Sequence, residues 1–208
     1  MASAIIHLAV AKTLEKYLNI ENKRDYYLGS IAPDISKQIG ENKQKSHFLF
    51  NTIDNIPNIE LFTNKYPNFK DNSFNLGYFI HLYTDKIWFS KFINKITTGS
   101  CIRLLDGSII TTTPEEIEKL IYQDYTNLNI KLLDEYKMDL SLFYEDFIEP
   151  KTNITEIPIN KLNILINKMG IIIENSTIEK PYTFDTYLVL EFIDNASQKI
   201  LKILKEQE

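Results

Sequence analysis

The chain has 208 residues, of which 44% are hydrophobic and 25% charged, and carries a formal net charge of -5. That length suits one domain, residues 1–208, with a sizeable core. The acidic balance argues against a surface that tracks long nucleic acid, and no apolar run reaches the roughly 18 residues that suggest a membrane span. The lone cysteine, Cys101, has no internal disulfide partner, and the amino terminus lacks a signal-peptide pattern, so the expected location is cytoplasmic.

Ser3 is placed to cap a first helix running to about residue 19, with His7, Ala11, Leu14 and Leu18 on one inward stripe. Residues 21–30 read as a second helix. Pro33 disfavours the α region at Ala32, which predicts that Asp34 lies on a loop, either capping the next turn or held as a metal ligand. A polar stretch over 40–45 leads into Ser46-His47-Phe48-Leu49-Phe50, where a second histidine enters apolar surroundings. A short helix is expected over about 57–66.

Residues 73–96 carry the pattern of a long central helix, with Gly77, His81, Asp85 and Trp88 along one stripe. The four-residue spacing puts His81 and Asp85 on one face. Gly77 costs about 1 kcal/mol of helix propensity relative to Ala, which predicts close approach of another backbone there. Asp106-Gly107 between two apolar runs is a hairpin signal over about 101–112. Thr113-Pro114-Glu115-Glu116 starts a helix expected to reach about residue 128, followed by another to about 136. Residues 140–148 read as a short helical or irregular aromatic segment and 149–158 as a polar link between helices. Two amphipathic helices, 159–173 and 184–204, close the chain as packing elements.

The fold class expected is therefore mainly α, a single-domain helical bundle with a small β-hairpin. The chain holds three histidines, all within the first 81 residues and all at inward positions. With Asp34 and Asp85 they form the ordered set His7, Asp34, His47, His81, Asp85. Burying imidazoles and carboxylates together is costly unless something satisfies them, and this donor composition is that of a hydrolytic transition-metal site. Any one of the histidines alone has a simpler reading as a core residue with a backbone partner.

These segments, in this order, resemble the zinc-dependent phospholipase C family, which includes the bacterial α-toxin type and has the S1/P1 nucleases as relatives of similar architecture. The resemblance rests on His7 followed by Ala9, Leu28-Gly29-Ser30-Ile31-Ala32-Pro33-Asp34, Ser46-His47-Phe48, and Gly77-Tyr78-Phe79-Ile80-His81-Leu82-Tyr83-Thr84-Asp85. It covers about residues 5–89. The resemblance implies a mostly helical fold in which Asp34, His47, His81 and Asp85 hold one zinc, while His7 and a bridging Asp85 begin a second site. It also implies Asp34 as the carboxylate that activates water. One or two zinc ions are expected, with manganese and iron as alternatives. Two departures stand out. Secreted members ligate metal through the amino group of a processed N-terminal tryptophan, whereas His7 here lies close to Met1. No histidine follows His81, so the family's last metal cluster is absent and the site is a reduced one.

The expected function is a metal-dependent phosphoester hydrolase acting on a small phosphorylated substrate or a phospholipid headgroup. The alternative is a non-catalytic helical scaffold that a metal cross-links, since four protein ligands on a tetrahedral ion leave no open position. An HD-type phosphohydrolase is disfavoured by the missing His-Asp dipeptide, since Phe48 follows His47 and Leu82 follows His81.

Overall fold

A computed structural model describes residues 1–52, 55–144, 147–177 and 179–206. It is mainly helical. Helix α1 (Ala4–Glu15) starts where Ser3 accepts a bond from the Ile6 amide, as its sequence predicts. It stops four residues short of the expected end because the Tyr17 amide turns back to the Leu14 carbonyl, tightening the last turn. Helix α2 (Lys23–Ile31) is capped by Asn22 and leads directly into a 3-10 turn, Ala32–Asp34, and the short α3 (Ile35–Gln38). The expectation that Pro33 would drive Ala32 out of the α region does not hold: Ala32 is at φ -57°, ψ -36°. In the tighter 3-10 turn Pro33 occupies a first-turn position, where a missing amide hydrogen costs nothing.

Helix α4 (Ile59–Lys65) precedes the central α5 (Ser73–Ile87), capped by Asn72. The helical path then continues as a π segment, Trp88–Ile93, and a final turn, α6 (Asn94–Ile96). The long helix is thus present over its predicted length but is not uniform. Trp88 and Phe92, four residues apart, stack at 4.3 Å and pack edge-on against Phe184 and Phe192. At the other end of α5, Tyr78 and Phe79 join Phe62 and Phe69 in a second aromatic cluster.

Gly77 does serve a close crossing, and Gly29 is its counterpart. A Cβ on Gly77 would sit 2.1 Å from the Tyr26 carbonyl oxygen, and one on Gly29 would sit 2.1 Å from that of Phe74. The two glycines let α2 and α5 lie almost backbone to backbone. This contact carries Ser30 and the Asp34 turn up to His81.

The hairpin is present and gains a strand: β1 (Thr97–Thr98), β2 (Cys101–Arg103) and β3 (Ile109–Thr111) form an antiparallel sheet in that order. Its register pairs Ile102 with Thr97 on one side and Ile110 on the other. Gly107, at φ +88°, occupies the turn.

Helix α7 (Pro114–Glu135) is a single helix where two were expected. No glycine or proline interrupts residues 115–135, and Asn127 and Asn129, at the expected break, are held by tertiary partners. The Asn127 side-chain oxygen accepts from Thr177 and the Glu179 amide, and the Asn129 amide donates to Ser176. Residues 149–158 are irregular but packed: Ile154, Glu156 and Ile157 are buried. The short 140–148 segment contains a 3-10 turn, Ser141–Phe143, while its residues 145 and 146 lie outside the described ones. Helix α8 (Leu162–Glu174) packs on α3 and α7, and α9 (Thr186–Glu206) packs on α1 and α5. Among the described residues, no helix is long and apolar enough to cross a membrane.

Candidate metal centre

The fold brings His7 from α1, Asp34 from the 3-10 turn, His47 from the following loop, and His81 and Asp85 from α5 into one buried cluster. His7, His81 and Asp85 are fully buried, His47 nearly so, and Asp34 is 7% exposed. The His7 and His81 rings stack at 3.7 Å. Asp85 directs its two oxygens to different neighbours. Oδ1 accepts the Ala2 amide at 2.9 Å and lies 3.4 Å from His7 Nε2, whereas Oδ2 lies 3.7 Å from His81 Nε2 and 3.8 Å from His47 Nε2. Asp34 Oδ1 is 3.5 Å from His47 Nε2.

Hydrogen bonds around the cluster assign the ring tautomers. His81 Nδ1 lies 2.9 Å from the Ser30 carbonyl oxygen, which only accepts, so Nδ1 carries the hydrogen. The Ser46 hydroxyl donates to the Lys43 carbonyl at 3.2 Å, so at 2.9 Å from His47 it accepts from Nδ1–H. Tyr78, three residues before His81, donates to the Ser46 carbonyl at 2.5 Å and fixes that loop to α5. Neutral His81 therefore presents a bare Nε2, as the neutral form of His47 does, and the two nitrogens are 3.2 Å apart. Partners that orient ligating imidazoles through Nδ1 are characteristic of metal sites.

Electrostatics agree with this assignment. Burial, reinforced by the charge of His7, lowers His81 to about 3, so it is neutral at pH 7. Burial alone would raise both aspartates, yet the neighbouring histidines outweigh it and hold Asp34 and Asp85 below the usual carboxylate range. The cluster thus offers a neutral His81 imidazole and two ionised carboxylates, protonation states that a metal ion requires.

The residues fit such an ion. Both ring nitrogens of His7, Oδ1 of Asp34 and Oδ2 of Asp85 are buried without a hydrogen-bond partner. Leaving buried polar atoms unpaired costs about 1–3 kcal/mol each, more when they are charged. With both rings neutral, the opposed Nε2 lone pairs of His47 and His81 add to that cost. A cation satisfies all of these groups together. Two overlapping donor sets, His7/Asp34/His81 and His47/His81/Asp85, have their ligating atoms within 4.8 Å of one another and share His81. Three or more imidazole and carboxylate donors at such spacing suit zinc.

Sequence reasoning did not single out Ser30, Ser46 or the Ala2 amide. Two of these three contribute backbone atoms, which leave no mark in side-chain chemistry, and Ser46 is visible only as the residue before His47. Lys37 and Lys43 were also missed. Lys37 lies one helical turn beyond Asp34 and lines the same cavity, of about 400 Å³.

Residues 4–88 match the family described as zinc dependent phospholipase C. That span includes all five donors and ends at Trp88, supporting the resemblance drawn from the motifs. Both the donor chemistry and this match support zinc as the cofactor. No curated protein and no solved structure matches the chain.

Proposed function

We propose that this chain is a zinc-dependent hydrolase of phosphoester bonds, resembling phospholipase C, in which His7, Asp34, His47, His81 and Asp85 hold one or two ions. One observation carries the hydrolytic reading: Asp34 belongs to the buried donor cluster and also lines the cavity of about 400 Å³. A site made only to cross-link helices needs no such opening.

When bound, zinc supplies Lewis acidity toward a phosphoryl oxygen and acidifies a water molecule near neutral pH. The remaining work belongs to the side chains. Asp34, anionic and with Oδ1 unpaired, accepts a hydrogen bond from the attacking water and aims it into the cavity. Ser30 and Ser46 hold the imidazoles of His81 and His47 so that neither ring has to reorient during a reaction cycle. Asp85 ties the amino-terminal segment to α5 through the Ala2 amide while offering Oδ2 to the ion.

The substrate in this proposal is a phosphodiester or phosphomonoester, and residues 1–208 act as one domain in a cytoplasmic setting consistent with the single cysteine. A second reading, a metal-stabilised scaffold without turnover, is favoured by the near-complete burial of His7, His47, His81 and Asp85. The two separate on one assay, hydrolysis of an aryl phosphodiester with and without added zinc. Zinc-dependent turnover that Asp34→Asn abolishes supports the hydrolase. A zinc-induced rise in thermal stability without turnover of any of several phosphoesters supports the scaffold.

A further inference from the structure

Asp34 of the metal centre lines a cavity of about 400 Å³, a second cavity of about 580 Å³ adjoins that one, and Met1, Lys37, Tyr122 and Tyr125 line both. Lys37 stands on the ridge between them. Its ammonium lies over the Tyr122 ring, 4.4 Å from the centroid, and donates to the Tyr122 hydroxyl. Its nearest carboxylate, Glu118, is 3.9 Å away and exposed. Lys43 lines the larger cavity, partly buried, with its ammonium 5.6 Å from the Phe89 ring centroid. Among the described residues Lys43 forms no ion pair, and the carboxylates whose charges act on it most are Asp85 and Asp34 of the metal centre.

The charge balance gives these lysines a purpose. A partly buried ammonium is stabilised by nearby negative charge, and for Lys43 that charge comes mainly from Asp85 and Asp34, whereas Lys37 is exposed and has Glu118 3.9 Å away. A zinc ion would neutralise the two carboxylates, leaving Lys43 without its main counter-charge at the wall of the larger cavity, beside Lys37 and the glutamates Glu41 and Glu118. An anion entering there regains the lost attraction. The smaller cavity has Ile5, Leu165, Met169, Ile171 and Ile172 in its wall, together with Lys168, Asn129 and Asn175. Its size falls in the range that encloses a small organic ligand.

We propose that Lys37 and Lys43 form an anion subsite beside the metal centre, which binds the phosphoryl group of the substrate while the smaller cavity takes a compact alcohol portion of the same ester. This rests on the phosphoester reading above and adds to it the residues that select the anion and the size of its alcohol. Lys37 and Lys43 are binding residues; neither takes part in proton transfer.

The test is calorimetric titration of inorganic phosphate into zinc-loaded protein, comparing wild type with the K37M/K43M and K37R/K43R variants. Methionine keeps the aliphatic stem over Tyr122 and Phe89 while removing the charge. The expected result is at least a tenfold loss of phosphate affinity in K37M/K43M, with zinc stoichiometry unchanged, and retention in K37R/K43R. Equal affinity in K37M/K43M and wild type overturns the subsite. So does displacement of bound phosphate by a short-chain phosphatidylcholine but not by a water-soluble aryl phosphate, since the compact alcohol is then wrong. Lysine-dependent phosphate binding in a protein that hydrolyses no phosphoester upholds the subsite and removes the hydrolase, whereas zinc-dependent turnover with lysine-independent phosphate binding does the reverse.

Discussion

His47 and His81 face one another through Nε2 atoms 3.2 Å apart, while the Nδ1 hydrogen of each is committed elsewhere, to the Ser46 hydroxyl and the Ser30 carbonyl. With both rings neutral, neither can turn its hydrogen toward the other without breaking a buried bond, and a cation between the two Nε2 atoms completes the pair. Zinc should therefore stabilise the chain strongly. At a free concentration 1,000 times its Kd, a ligand specific for the folded state adds about 4 kcal/mol. His81→Asn should weaken zinc binding by at least about 100-fold, exceeding the usual cost of losing an orienting partner. Chelator competition measures the affinity, and a zinc-dependent rise in unfolding midpoint should be seen in wild type and not in the variant.

The crossing of α2 and α5 should tolerate no side chain at its two glycines. Gly77→Ala and Gly29→Ala each place a methyl 2.1 Å from a carbonyl oxygen that has no flexible side chain to yield. Each should cost about 1–3 kcal/mol, as overpacking does. Urea unfolding measures the loss. Zinc affinity should fall as well, because a wider crossing pulls the Ser30 carbonyl away from His81 Nδ1.

Asp124 is a buried anion with a structural task away from the metal centre. Its carboxylate accepts from the Tyr182 and Thr183 amides at 2.7 Å each, the Thr183 hydroxyl at 2.5 Å and the Phe184 amide at 3.2 Å. Asp124→Asn keeps the shape but turns an NH2 donor toward donors. The expected loss is about 2–3 kcal/mol, the scale of a hydrogen bond to a charged group. Amide exchange at residues 182–184 should accelerate relative to the rest of the chain.

Glu15 supplies a pH signature that does not involve the metal. Burial would raise its pKa, but hydrogen bonds from Lys12, Lys23 and Tyr27 outweigh it and lower Glu15 from 4.5 to about 2. A depressed folded-state pKa means stability that is fully present above about 4.5 and is lost as pH falls toward 2. Glu15→Gln should be less stable than wild type at pH 7, with the difference shrinking between pH 4.5 and 2. Urea midpoints at several pH values read this directly, and a difference that is constant with pH would contradict it.

How much of this was legible in the sequence varies by residue. The face shared by His81 and Asp85 follows from four-residue helical spacing, and the inward position of His7 follows from its stripe with Ala11 and Leu14. Gly77 announced a close crossing because a glycine in mid-helix needs a reason, although its counterpart Gly29 did not. The local path at Pro33 was misread, since the rule for residues before proline is weaker than the 3-10 turn that the packing of α3 imposes. The expected end of a helix near residue 128 was not found, and the bonds from Asn127 and Asn129 to residues 176–179 that hold this part of α7 join positions remote in the chain. The orienting groups Ser30 and Ala2 act through backbone atoms, whose placement comes only from tertiary packing.

The most direct test of the metal centre is the zinc content of the protein after loading and dialysis, measured by mass spectrometry for wild type and the H81N/D85N double variant. The result expected is at least one zinc per wild-type chain and almost none in the variant, with both proteins folded by circular dichroism. Substoichiometric zinc in wild type, or equal zinc in the two proteins, would contradict a centre built on His81 and Asp85.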